Sequence, residues 1–263
     1  MYAFTFERPA SLDEAAKLAA AGAKPLAGGQ TLLASMKLRL SAPEQLADLS
    51  GCPELTGIRR EGDALVIGAM SRHVEVANNA DVKSAYPALA DLASRIGDRQ
   101  VRAMGTIGGS VANNDPAACY PSAVLASGAT VVTTKREIAA DDFFQGLFAT
   151  ALEEGELIKA IRFPIPKQAA YEKLRQKASH FPLVGVFVAV YGSGVRVAVT
   201  GAGNGVFRHA GLEAALTKSF TPESAAAVAI DDSELNSDLH ASAAYRANLI
   251  SVLAQRAVAK ALG

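Results

Sequence analysis

Two pairs of adjacent glycines, far apart in the chain, restrict the fold more than any other feature. The later pair lies in Gly105 to Pro121, GTIGGSVANNDPAACYP, where Thr106, Gly108, Gly109 and Ser110 set two residues without side chains between two hydroxyls. Such a backbone can bend tightly and press its N–H groups against an anion such as a phosphate. The earlier pair, in PLAGGQTLL, puts Gly28 and Gly29 just before Gln30, Thr31 and a helix-like run. Two such loops can grip one diphosphate from two sides. Either loop alone also reads as an ordinary turn among small polar residues.

At 263 residues, half of them apolar, the chain can bury the core of one large or two modest domains. Lysine plus arginine equals aspartate plus glutamate at 26 each, and no compact basic stripe stands out, so nucleic acid is not the expected partner. The start, MYAFTFERPASLDE, lacks the basic and apolar regions of an export signal, and the strongly apolar stretch Leu183 to Tyr191 is far short of a bilayer span. A cytoplasmic protein without a membrane span is expected. Cys52 and Cys119, the only cysteines, give neither a disulfide framework nor the four thiolates of an iron–sulfur cluster. The four histidines are scattered, and there is no GxSxG elbow. A bound cofactor is therefore the expected carrier of any chemistry.

Taken in order, Phe4 and Phe6 mark a short strand, and Ser11 with Glu14 has capping-box spacing ahead of a helix closing at Gly22. Lys24 to Leu26 is a strand, Thr31 to Leu40 a helix, and Gln45 to Leu49 after Pro43 an edge strand. Leu55 to Ile67 reads as a hairpin turning at Glu61 to Asp63, followed by helices from Ser71 to about Ile96 with a break at Pro87. Pro121 to Ser127 suits a helix, Ala129 to Thr133 a strand, and Asp141 and Asp142 a helix start that they cap. Strands follow at Leu157 to Phe163 and Ala170 to Gln176. Beyond a boundary near Lys177 come a hairpin, Leu183 to Tyr191 with Val195 to Thr200, two short helices and a terminal helix from about Ala241 to Leu262. The GAGNG after Thr200 has Val206 where a dinucleotide fold has its third glycine, and it reads as a connecting loop.

PLAGGQTLL near the start and TIGGSVANNDP some way downstream resemble together the FAD-binding medium subunit of molybdenum hydroxylases, the carbon monoxide dehydrogenase and xanthine dehydrogenase group. The likeness implies an α+β chain: a two-part FAD-binding domain of the vanillyl-alcohol oxidase type over residues 1–176, with subdomains of about 1–55 and 56–176. A small C-terminal domain of antiparallel sheet plus helices would cover 177–263. It also implies that Ala27, Gly28, Gly29, Gln30 and Thr31 match the first diphosphate loop, and Thr106, Ile107, Gly108, Gly109 and Ser110 the second. Asn114 and Asp115 fall in a segment that runs beside the flavin in the family. Ile96, Leu157 or Ile158, and Lys173 match looser contacts, for which plain core or a solvated head is the alternative. Phe181 sits near where some relatives put a tyrosine over the ring. Cys119 stands where the family pattern has an aspartate, a weaker acceptor in place of a carboxylate.

What the resemblance implies for function is a flavoprotein subunit between a small subunit with two [2Fe–2S] clusters and an electron acceptor, NAD⁺, a quinone or another. A large molybdopterin-binding subunit would complete a heterotrimer, paired into a dimer of heterotrimers. Two other readings stay open: a stand-alone FAD oxidase or dehydrogenase, and a scaffold that has lost FAD.

Overall fold

The computed structural model describes residues 1–263. Its first body contains β1 (Thr5–Glu7), α1 (Leu12–Ala20), β2 (Lys24–Leu26), α2 (Leu32–Lys37) and β3 (Gln45–Asp48). The sheet order is β1-β3-β2, with both pairings parallel. β3 is thus central and not the edge strand expected; Pro43 lies ahead of it and removes no ladder bond. Half of the capping box at α1 forms: Ser11 Oγ accepts from the Glu14 N–H at 3.3 Å, whereas the Glu14 carboxylate accepts from the N–H of Ala10, one residue ahead of the N-cap, at 2.9 Å. α2 stops at Lys37, short of Leu40, because Arg39 turns left-handed at φ 61° and the Leu40 N–H closes back on the Ser35 carbonyl at 2.8 Å.

The second body runs through β4 (Ile58–Glu61), β5 (Ala64–Gly68), α3 (His73–Asn78), α4 (Ala80–Ala85), α5 (Pro87–Ser94), α6 (Arg99–Met104), α7 (Ile107–Asn113), α8 (Tyr120–Ala126), β6 (Thr130–Thr133), β7 (Glu137–Ala139), α9 (Ala140–Phe143) and β8 (Ile158–Pro164). Its strands make an antiparallel sheet in the order β4-β5-β8-β6-β7. Leu65, Ile67, Ile161 and Phe163 from the sheet pack with Leu89, Leu92, Val111 and Val124 from the helices in the main core. Asp141 does not cap α9. Its carboxylate takes the Arg196 guanidinium at 2.8 Å and that of Arg208 at 3.1 Å, an ion pair with distant sequence that outcompetes a local cap.

In the third body, β9 (Gln168–Arg175), β10 (Pro182–Tyr191), β11 (Gly194–Thr200) and β12 (Phe207–Arg208) form an antiparallel sheet, ordered β12-β11-β10-β9, with α10 (Ala210–Lys218), α11 (Pro222–Ala226) and α12 (Ala243–Leu262). This sheet begins at Gln168, ahead of the boundary expected near Lys177. β10 reads as an unbroken apolar run because both its faces are covered. Val184, Val186 and Val188 face a core shared with Leu253 and Ala257 of α12, whereas Phe187 and Ala189 belong to the core of the second body. Each such side chain contributes on the order of 1.5–3 kcal/mol by burial. The GAGNG segment leads into β12, and no βαβ unit follows it.

Polar clasps fix the second and third bodies together. The Gly201 N–H donates to the Pro116 carbonyl at 2.7 Å, Arg196 donates to the Leu125 carbonyl at 2.9 Å, and Lys260 of α12 reaches Asp91 of α5 at 2.9 Å and Glu172 of β9 at 2.8 Å.

Candidate functional site

The first glycine stretch leaves β2 and bends into α2 with its backbone donors free. No N–H from Ala27 to Leu32 meets an acceptor inside the protein, and the Gln30 side-chain amide folds back onto the Gly28 carbonyl at 3.3 Å. Ala27, Gly28 and Gly29 are half-buried, while Gln30 and Thr31 are exposed. Donors left free of protein acceptors and open to solvent are available to a ligand, and an anion accepts from them more strongly than water because its charge shortens and strengthens the bonds.

The second stretch is fastened where the first is open. Gly105 and Ile107 pair with the β5–α3 connection: the His73 N–H donates to the Gly105 carbonyl at 2.9 Å, the Ile107 N–H to Ser71 at 3.0 Å and the Gly108 N–H to Ala69 at 2.8 Å. TIGGS is therefore not the loop expected. Thr106 is the N-cap of α7, its hydroxyl accepting from the Gly109 N–H at 3.2 Å, and Ile107 and Val111, four apart, are both buried in the main core.

The two stretches touch. A β-carbon on Gly28 would overlap the Met104 carbonyl and lie 2.7 Å from the Gly105 Cα, so only glycine admits this approach. On Gly109 it would stand 2.9 Å from the Thr106 hydroxyl and 3.4 Å from the Ala27 Cβ. Ala27 and Gly109 thus face each other across the seam between the first and second bodies.

Beside the seam, polar groups hold the turn that follows α5. Arg102 donates to the Ile96 and Gly97 carbonyls at 2.8 and 3.0 Å, and His180 Nδ1 meets the Gly97 carbonyl at 3.0 Å. Buried Lys173 donates to the Arg95 carbonyl at 2.8 Å and the His180 carbonyl at 2.7 Å, with Cys119 Sγ at 3.5 Å as its third neighbour. Those contacts use the three donors of an ammonium group, although burial lowers the Lys173 pKa. Close by, His73 packs its ring 5.3 Å from that of Tyr120, with Nδ1 unpartnered. Burial, aided by the charge of Arg102, pushes its pKa down to about 4.

Of the residues singled out in the sequence, Ala27 to Thr31 and Thr106 to Ser110 come together, and Ile96 is half-buried in the turn that Arg102 grips. Others have structural employment. Asn114, left-handed at φ 43°, donates its side-chain amide to the Gly146 and Ala149 carbonyls at 2.8 and 2.7 Å, leaving Oδ1 buried and unpartnered. Asp115 accepts from the Ala117 N–H at 2.8 Å. Ile107 and Ile158 are core side chains of the second body, and Leu157 belongs to the small core under α1. Cys119 is buried, and Phe181 is half exposed at 47%. Sequence reasoning missed His73, Arg102 and His180 as neighbours of the site, since no spacing joins them. No three of His, Cys, Asp and Glu gather as metal ligands, and no helix is long and apolar enough to cross a membrane.

Fold and site together define a mixed helix-and-sheet chain that holds an open row of backbone donors against a second glycine stretch, without an acid, base or nucleophile poised between them. The profile of the FAD binding domain in molybdopterin dehydrogenase matches residues 2–166. The chain is 38% identical to the carbon monoxide dehydrogenase medium chain of Hydrogenophaga pseudoflava, over 97% of this chain and 96% of that one. It is 33% identical to the nicotine 6-hydroxylase medium subunit of Paenarthrobacter nicotinovorans, over 98% and 97%. The solved carbon monoxide dehydrogenase from Hydrogenophaga pseudoflava superposes with a TM-score of 0.90 at 36% identity, covering 99% of this chain and 98% of that one. The chain belongs to the FAD-binding medium subunits of the molybdopterin dehydrogenases, an oxidoreductase family.

Proposed function

We propose that this chain is the FAD-bearing subunit of a three-component molybdenum hydroxylase, receiving electrons from the [2Fe–2S] clusters of a small partner and passing them to an external acceptor. A large molybdopterin-binding subunit completes the heterotrimer, and two heterotrimers pair. The observation that carries this reading is the row of acceptor-less N–H groups from Ala27 to Leu32, pressed against Met104 and Gly105. These residues fit a dinucleotide diphosphate: they offer backbone donors and no carboxylate, and the close contact at Gly28 sets those donors beside the second glycine stretch.

FAD, when bound, supplies the exchange between one-electron and two-electron transfer. The protein's residues bind and orient it. Gly28, Gly29, Gln30 and Thr31 would hold one side of the diphosphate, with Thr106, Gly109 and Ser110 on the other side. Ile96 would give an apolar contact beside the ring, and Lys173 would act mainly by locking the turn that carries Ile96. We read the first two bodies as the halves of a vanillyl-alcohol oxidase type FAD domain and set the division ahead of Gln168, so that β9 stays with its sheet; the family match ending at residue 166 supports this.

The test is Gly109→Asp, which puts a carboxylate opposite Ala27 where the diphosphate would lie. Expected is loss of FAD from the purified protein with its circular dichroism retained. Unchanged flavin content would remove Gly109 from the site.

A further inference from the structure

Tyr171 and Lys173 stand two apart on β9, so both side chains leave the strand on the same face, and both meet Cys119 at the start of α8. All three are buried: Tyr171 is fully enclosed, Cys119 is 4% exposed and Lys173 8%. Neither donor is well served there. Lys173 spends two of its protons on the Arg95 and His180 carbonyls and turns the third to the Cys119 sulfur at 3.5 Å, a weak acceptor. The Tyr171 hydroxyl, whose pKa is pushed up by burial and then by the neighbouring Cys119 sulfur, has no hydrogen-bond partner. Charge is unbalanced as well. Buried Asp48, Glu156 and Arg246 each pair with a side chain of opposite sign, Arg8, Arg136 and Asp238, whereas Lys173 touches only carbonyls and a thiol. One anionic oxygen on the Cys119 sulfur would meet every one of these demands, accepting from the ammonium and the phenol and supplying the missing negative charge.

We propose that Cys119 is a modification site, oxidised by hydrogen peroxide and kept as its sulfenate by Lys173 and Tyr171. The sulfur lone pair attacks one peroxide oxygen, the S–O bond forms as the O–O bond breaks, and the departing hydroxide leaves as water with the thiol proton. Sulfur gives up two electrons and peroxide takes them; the sulfenic proton passes to solvent. Lys173 lines an open cavity of about 510 Å³ beside α6, so peroxide reaches the pair from outside, with Cys119 one contact behind the wall. Cys52, the other free cysteine, has the opposite surroundings. Burial, and after it Glu54, Glu14 and Asp48, raise its pKa, and its sulfur faces the Pro9 and Ser11 carbonyls, which have no proton to give a sulfenate. Selectivity for Cys119 follows. The modification needs no second ligand, and it stands whether or not the seam binds FAD.

The test exposes the purified full-length chain to hydrogen peroxide, removes the excess with catalase, denatures the protein in dimedone, which labels sulfenic acid, and locates the label by peptide mass spectrometry. Expected is label at Cys119 and none at Cys52, erased when dithiothreitol precedes the dimedone. Tyr171→Phe removes one charge-assisted donor to the new oxygen and should lower the Cys119 label by about tenfold or more, with sulfinic acid in its place; Lys173→Met should do the same, and Tyr171→Phe decides alone if that variant does not fold. An unlabelled Cys119 in wild type, label shared equally with Cys52, or a Tyr171→Phe chain labelled like wild type would overturn the proposal.

Discussion

Acid should loosen the second glycine stretch through His73. In the folded chain its pKa lies at about 4, against 6.5 for a free imidazole, with burial the larger cause and Arg102 the smaller. A base whose folded pKa is depressed stays neutral in the fold, while the unfolded chain takes up the proton. Stability is therefore intact above pH 6.5 and falls as the pH drops towards 4. Linkage over that interval gives a loss of about 2 kcal/mol at pH 5 and ~3 kcal/mol at pH 4 from this one ring. The effect bears on the site because the His73 N–H holds the Gly105 carbonyl at 2.9 Å, and a β-carbon on Gly105 would come 2.6 Å from His73 Nε2. Urea unfolding of wild type and His73→Gln at pH 7 and pH 5 isolates the ring from the carboxylates, which titrate in both proteins. Wild type should lose about 2 kcal/mol more than the variant between the two pH values. Parallel losses, or a His73 ring that titrates near 6.5 in the folded protein, would refute the reasoning.

Two further substitutions separate holding residues from binding residues. Asn114→Ala removes the donors to the Gly146 and Ala149 carbonyls; it should cost about 1–3 kcal/mol and expose the segment around Phe148 to limited proteolysis, which a cleavage time course would show. Lys173→Met strips two half-buried carbonyls of their donor and should cost about 1–3 kcal/mol, with weaker FAD retention following from a loosened Ile96 turn; thermal unfolding and flavin content measured on the same preparation check both effects.

Local chemistry made much of the chain legible. The Ser11–Glu14 spacing placed α1, and the apolar run from Leu183 to Tyr191 marked the strand β10, though not that both its faces are covered. The glycine pairs were visible as sites of close approach. Errors arose where distant sequence decided. Gly108 and Gly109 look like loop formers, yet Thr106 caps them into α7 and the burial of Ile107 and Val111 keeps them there. Asp141 looks like a cap until Arg196 and Arg208 arrive from the third body. β9 precedes the boundary expected near Lys177, and its hydrogen bonds go to β10 beyond that boundary. The bonds of Lys173 to Arg95, and of Asn114 to the Gly146–Ala149 segment, join residues that no spacing rule connects.

The central claim is that the seam between the two glycine stretches is a flavin site, and the most direct measurement is the visible absorption spectrum of the purified chain after FAD is offered, with the released cofactor identified, for wild type beside Gly28→Val. Wild type should show the flavin bands and release FAD; the variant, whose side chain must push Met104 and Gly105 away from the first stretch, should show neither while keeping its circular dichroism. A colourless wild type, or a variant that holds FAD as firmly as wild type, would contradict the account.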